Sequence, residues 1–163
     1  VNIFVTSENP IVAAKNQCDK HVVKMVLETA QMLCAAYENG EAPYRRAHYN
    51  HPCTIWARES AENYLWLVEH GLALCEEYTA RYGKTHKSEA IINWCLDNMN
   101  KIDFPSEGLT QFAVAIADTA VCRQMISDFD SMSTTEKYRA YYHYDKRRFA
   151  KWAFTSPPRW WVA

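Results

Sequence analysis

Glycine is scarce in this chain, at four residues in 163, and proline is little commoner at six. No Gly/Ser-rich stretch, internal repeat or low-complexity tract interrupts it, so one domain spanning residues 1–163 is expected. No apolar run approaches the roughly 20 residues that a membrane span requires. The opening residues VNIFVTSENP lack the basic start and long apolar stretch of a signal peptide, so a cytoplasmic location is expected, with no membrane partner. Positive charge is not in excess either. A formal net charge of −1 excludes a uniformly basic nucleic-acid binder while leaving room for a local basic patch. Period-two alternation of any length is also missing, which excludes an extensive sheet and gives an all-α fold.

What is present suits a packed globule. Hydrophobic residues make up 48% of the chain and aromatics 13%, enough for a real core at this length. Cys34, Cys75, Cys95 and Cys122 sit among apolar neighbours and read as small core residues, while Cys18 and Cys53 lie nearer polar motifs. Residues 2–6 form a short apolar arm. Asn9-Pro10 is a helix start, with Asn9 as cap, and one or two helices then run to about Tyr37, before Asn39-Gly40. A second long helix is expected from His51-Pro52 to Tyr82, closed by Gly83. A shorter one spans about 87–100, and the stretch 101–134 is irregular. A last helix runs from Thr134 to about Phe154, giving two long central helices and a basic, aromatic C-terminal one.

The first long helix carries an unusual pattern. At about 100° per residue, Gln17, Lys24, Glu28 and Gln31 fall within roughly 80° of His21, and most other positions are apolar. Such a helix should be largely enclosed, its narrow polar stripe facing a cleft or a buried network. Glu28 lies one turn beyond Lys24 and two beyond His21, so a carboxyl group is held beside an ammonium and an imidazole. That grouping suits general acid–base chemistry, and it equally suits a structural network tying helices together. Cys18-x-x-His21 and His48-x-x-His51-x-Cys53 offer metal-ligand residue types, but no second motif reinforces them. No metal site and no cofactor are expected.

Other segments are candidates for substrate contact. His51, before Pro52, either approaches the stripe or caps the following helix. Lys84 and Lys87, in the turn 81–87, either bind an anion or merely decorate a helix connection. Residues 137–160 hold seven Lys or Arg against Asp145 alone, interleaved with aromatics. Cations hold phosphates and aromatic faces stack on exposed bases, so Lys146, Arg147, Arg148 and Lys151 are candidate polyanion contacts. Tyr138, Tyr142, Phe149 and Trp152 are expected to share a helical face packed on the core.

Asp19-Lys20-His21-Val22-Val23-Lys24-Met25 with Glu28-Thr29-Ala30-Gln31, Asn50-His51-Pro52-Cys53 and Arg81-Tyr82-Gly83-Lys84 resembles a family of uncharacterised tailed-phage proteins, over nearly the whole chain. More distantly, the chain is similar to the pyrimidine-dimer DNA glycosylases of the phage endonuclease V type. The likeness rests on Asp19, His21 and Glu28 in the first long helix, on His51 in the turn before the second, and on the Tyr-, Lys- and Trp-rich C-terminus. It implies an all-α DNA-acting enzyme in which the α-amine of Val1 attacks the sugar C1′ and forms a Schiff base, with Glu28 as the catalytic carboxylate. An α-amine titrates near about pH 8, so a useful fraction is nucleophilic at cellular pH. Asp19, Lys24, Gln31 and His51 would then contact substrate. If the gene is a phage's, the compartment would be the host cytoplasm.

Three readings follow. In the first, the chain is a DNA glycosylase/AP-lyase-like enzyme acting on a damaged or modified base. In the second, it acts on a nucleotide or modified base without the amine, with Glu28 and His21 as acid and base. In the third, it is a non-catalytic protein whose basic C-terminus binds nucleic acid or a host protein. DNA is the expected partner, and the sequence gives no oligomeric state.

Overall fold

A computed structural model describes residues 1–163 and is all-α. Its helices are α1 (Pro10–Lys15), α2 (Asp19–Cys34), α3 (Pro52–Ala57), α4 (Ala61–Tyr82), α5 (Glu89–Asp97), α6 (Val121–Met125) and α7 (Thr134–Asp145). Short 3₁₀ turns follow α5 and α6, and a lone bridge between Ser60 and Ser106 is the only β-type pairing. No helix is long and apolar enough to cross a membrane.

Local chemistry sets the helix ends. Asn9 Oδ1 accepts from the backbone N–H groups of Ile11 and Val12, and Pro10 opens α1. The single long helix expected across residues 52–82 is broken in two. Arg58 leaves helical geometry, and the Ser60 hydroxyl accepts from Asn63 N–H to start α4 afresh. Gly83, at φ 71°, closes α4 in the left-handed region. The last helix stops at Asp145, about two turns short of the expected end. Asp145 itself accepts from the N–H groups of Val121 and Cys122, capping α6. Tyr138 and Tyr142 are therefore buried on α7, whereas Phe149 and Trp152 follow it in irregular chain.

α4 is the centre, packed on α1, α2 and α5. The side chain of Arg81, only 2% exposed, pins the α1–α2 junction to it through the carbonyls of Lys15 and Gln17 and the carboxylates of Asp19 and Glu77. All six cysteines are buried and free. The arm at residues 2–6 is wholly buried, and it brings the chain's first residue onto α2.

Candidate active site

The arm is bolted down along its length. Asn2 Oδ1 accepts from the N–H groups of Ile3 and Phe4, and its amide donates to Ala115 O. Gln17 donates to Ile3 O, and Arg139 donates to Thr6 O. Phe4 adopts φ 56°, a left-handed conformation that costs an aromatic residue on the order of 1–3 kcal/mol. The strain is offset where its ring lands. It stacks on the His21 imidazole at 4.2 Å and lies parallel to Tyr141 at 6.0 Å.

This anchoring puts the α-amine of Val1 3.0 Å from Glu28 Oε1, with both side chains at most 9% exposed. No other donor reaches that buried oxygen. The second oxygen, Oε2, lies 3.6 Å from the ammonium of Lys24, whose side chain is 66% exposed. A carboxylate this far from water needs partners, and it has one buried cation and one at the surface.

The pair opens into a hollow of about 330 Å³, at the small end for ligand clefts. Glu28 is the sole acidic residue in its lining, against Lys20, Lys24, Lys146 and Arg148, with the rings of Phe4, His21, Tyr141 and Phe149 completing the wall. Lys20 and Lys146 lie over aromatic faces, Lys20 at 4.7 Å from the Phe149 ring and Lys146 at 4.7 Å from that of Tyr141. Size does not choose the site. A slightly larger hollow, about 370 Å³, lies beside Tyr37 and Tyr49, but its charges are mixed (Glu38, Glu41 and Asp103 with Arg46, Arg58 and Lys101).

His21 is 5% exposed and hydrogen-bonded through Nδ1 to the hydroxyl of Tyr142. Burial, then the nearby ammoniums of Lys146, Lys24 and Lys20, pull its pKa down to about 3. It is therefore a neutral imidazole near pH 7, and a protonated general acid is not available there. Tyr142 is fully buried, its hydroxyl also accepting from Cys18 N–H.

The structure thus gathers Val1, His21, Lys24, Glu28, Lys146 and Arg148 around one hollow, and leaves the other candidates elsewhere. Asp19 accepts from Arg81 and from Ala153 N–H, so it holds the junction together. Gln31 is half-buried on α2 and outside the lining. His51 Nδ1 caps α3 by accepting from Cys53 N–H. Its pKa is lowered by burial first and then by the amine of Val1, with Glu28 opposing, and it lies outside the lining of the hollow. Lys84 and Lys87 are exposed on the α4–α5 connection. Arg147 bonds to His143 and to Val162 O, holding the C-terminal tail, and Lys151 is exposed beyond it. Sequence reading passed over Asn2, Phe4 and Tyr141 as site residues. The left-handed turn at Phe4 leaves no pattern in a non-glycine residue, although the Asn before it was a usable hint.

The family model described as pyrimidine dimer DNA glycosylase matches residues 1–90, more than half of the chain. The chain belongs to that family. Membership gives it a DNA glycosylase-type function, with DNA as the substrate class. No curated protein and no solved structure gives a significant match. The matched span includes Val1, His21, Lys24 and Glu28, whereas Tyr141, Lys146, Arg148 and Phe149, the opposite wall of the hollow, lie beyond it.

Proposed function

We propose that the chain is a DNA glycosylase with linked AP-lyase activity, acting on pyrimidine dimers or similarly altered bases as one domain, with the α-amine of Val1 as the nucleophile. The observation that carries this is the 3.0 Å contact between the Val1 amine and the buried carboxylate of Glu28, in a hollow otherwise lined by cations and rings.

The chemistry follows from that pair. The Val1 ammonium first gives a proton to solvent; the neutral amine then attacks C1′ of the deoxyribose, a C1′–N bond forms, and the glycosidic bond breaks. The departing base takes the bonding electron pair and a proton from water. The negative Glu28, as the sole carboxylate in the lining, stabilises positive charge developing on the sugar and accepts the proton that the amine sheds. Glu28 returns that proton to O4′ as the C1′–O4′ bond opens, which leaves an iminium, a 4′-hydroxyl and a carboxylate free to act again. Loss of a C2′ proton then expels the 3′ phosphate, with the C3′–O electrons leaving on oxygen and Glu28 as the base at hand. Lys20, Lys24, Lys146 and Arg148 hold the flanking phosphates, and the neutral His21 and Phe4 form the wall behind the sugar.

The test is borohydride trapping on a duplex carrying a cyclobutane pyrimidine dimer. Wild-type protein is expected to give a covalent adduct that maps to Val1. Glu28→Gln is expected to lose turnover by about 100-fold or more, the scale of a removed electrostatic stabiliser. Full activity after N-terminal acetylation, with intact-mass confirmation of the free terminus beforehand, would refute the amine mechanism.

A further inference from the structure

The face of α2 beside the hollow carries two exposed aliphatic side chains among its polar ones. On a helical wheel, Val23, Leu27, Lys20, Gln31 and Lys24 occupy one arc of about 100°, which runs directly into the arc of Lys24, Glu28 and His21. The sequence pattern predicts Val23 and Leu27 on the enclosed side; instead they are 42% and 41% exposed. They stand one turn apart, so their side chains form a single aliphatic ridge. Exposed aliphatic residues occur elsewhere on the molecule. What sets this pair apart is its helix, whose same turns carry Lys24 and Glu28 to the hollow.

The surroundings of the ridge are cationic. Lys20 and Lys24 interleave with it on α2. At its Val23 end, His86 bonds to Val23 O at 3.1 Å, which brings the exposed Lys84 and Lys87 of the α4–α5 connection alongside. Beyond Glu28 lie Lys146 and Arg148. An apolar ridge with cations on either side is complementary in charge to a duplex whose backbones flank the ridge and whose stacked bases lie over it.

We infer that Leu27, with Val23 beside it, is a wedge that enters the base stack next to the target nucleotide and fills the space left as that nucleotide moves towards Glu28. The inference rests on the glycosylase reading above and adds to it the residues that open the duplex. Such reading of a base outside the stack requires unstacking, and apolar side chains inserted at a step are one way to offset its cost. Leu27 and Val23 touch no reacting atom; they act as positioning residues.

The experiment compares two substrates in single-turnover assays of the full chain: a duplex bearing a cyclobutane pyrimidine dimer, and a single strand bearing an abasic site that needs no unstacking. Leu27→Ala is expected to slow cleavage of the duplex by about 10- to 100-fold and to change the single strand less than about threefold. Leu27→Met should restore the duplex rate. Leu27→Lys should bind duplex at least as tightly as wild type yet stay slow, and 2-aminopurine opposite the lesion should brighten with wild type but not with Leu27→Ala. Leu27→Ala cutting the duplex at the wild-type rate would overturn the inference, as would equal losses on both substrates or a fully active Leu27→Lys. Wild-type protein that cuts neither substrate would instead overturn the glycosylase reading beneath it. Because Leu27 is part-exposed, its substitution is expected to leave the melting temperature nearly unchanged, which separates a wedge defect from misfolding.

Discussion

His70 on α4 is fully buried, and its two ring nitrogens are both committed. Nδ1 donates to Pro10 O, so Nε2 is the acceptor facing the Gln17 amide at 3.2 Å, and that amide also holds Ile3 O. Burial opposes the charge and brings the pKa down to about 4, and a second ring proton would point at a donor besides. His21 is depressed further, to about 3. Unfolded, both imidazoles would bind a proton near about pH 6.5. Between those limits the unfolded chain holds more protons than the folded one, so stability rises with pH and is lost as pH drops below about 6.5. Urea unfolding should therefore report a loss of roughly 2–5 kcal/mol from these two sites between about pH 7 and 4.5. A flat profile over that range would remove the argument. His70 was not legible as an anchor of the arm, because its partners lie 53 and 60 residues away in sequence. Glu28 and Lys24, by contrast, stood out because they interrupt an apolar periodicity on one helix.

Three helices converge at Gly71, which lies in the middle of α4. A Cβ built there would come within 2.8 Å of Thr29 Cγ2 on α2 and 3.0 Å of Ile92 Cδ1 on α5. Glycine is kept for the close approach, against its poor helix propensity. Gly71→Ala would gain about 1 kcal/mol of propensity and lose about 1–3 kcal/mol to overpacking. Thr29 is β-branched and buried, so it cannot swing aside, and the overpacking should win. A fall in melting temperature of about 2–6 °C is expected by calorimetry; a rise would show that α2 and α4 can separate at little cost. The helices themselves were legible in the sequence, since Asn9-Pro10 and Tyr82-Gly83 carry their own punctuation. The end of α7 was not. Tyr138, Tyr142, Phe149 and Trp152 sit at spacings that continue a helical face, and nothing local says that Asp145 turns away to cap α6. The break before Ser60 was hidden in the same way, because apolar spacing runs straight through it. Val23 and Leu27 mark the limit of the wheel argument: apolar identity does not tell whether the core covers the side chain or leaves it exposed.

At the scale of the molecule, charge is segregated. The chain carries a net −1, yet the hollow draws cations from two distant parts of it, Lys20 and Lys24 on α2 with Lys146 and Arg148 after α7. The sequence showed the excess of Lys and Arg in residues 137–160, but not which of those residues meet α2. Arg147 is diverted to the tail, while its neighbours on either side face the hollow. This division makes a prediction about salt. Each cation that neutralises a phosphate releases counterions, so its removal should lower the slope of log affinity against log salt by about 0.9. Arg148→Ala and Lys24→Ala should each flatten the slope by about that amount, measured by titrating duplex DNA at several salt concentrations. Arg147→Ala should leave the slope nearly unchanged, because its guanidinium is engaged by His143 and Val162. Lys24→Ala carries a second consequence, since it also strips Glu28 Oε2 of its surface cation. That variant should lose more catalysis than binding, whereas Arg148→Ala should lose both together; equal slopes for all three variants would mean that the hollow is not where the DNA backbone lies.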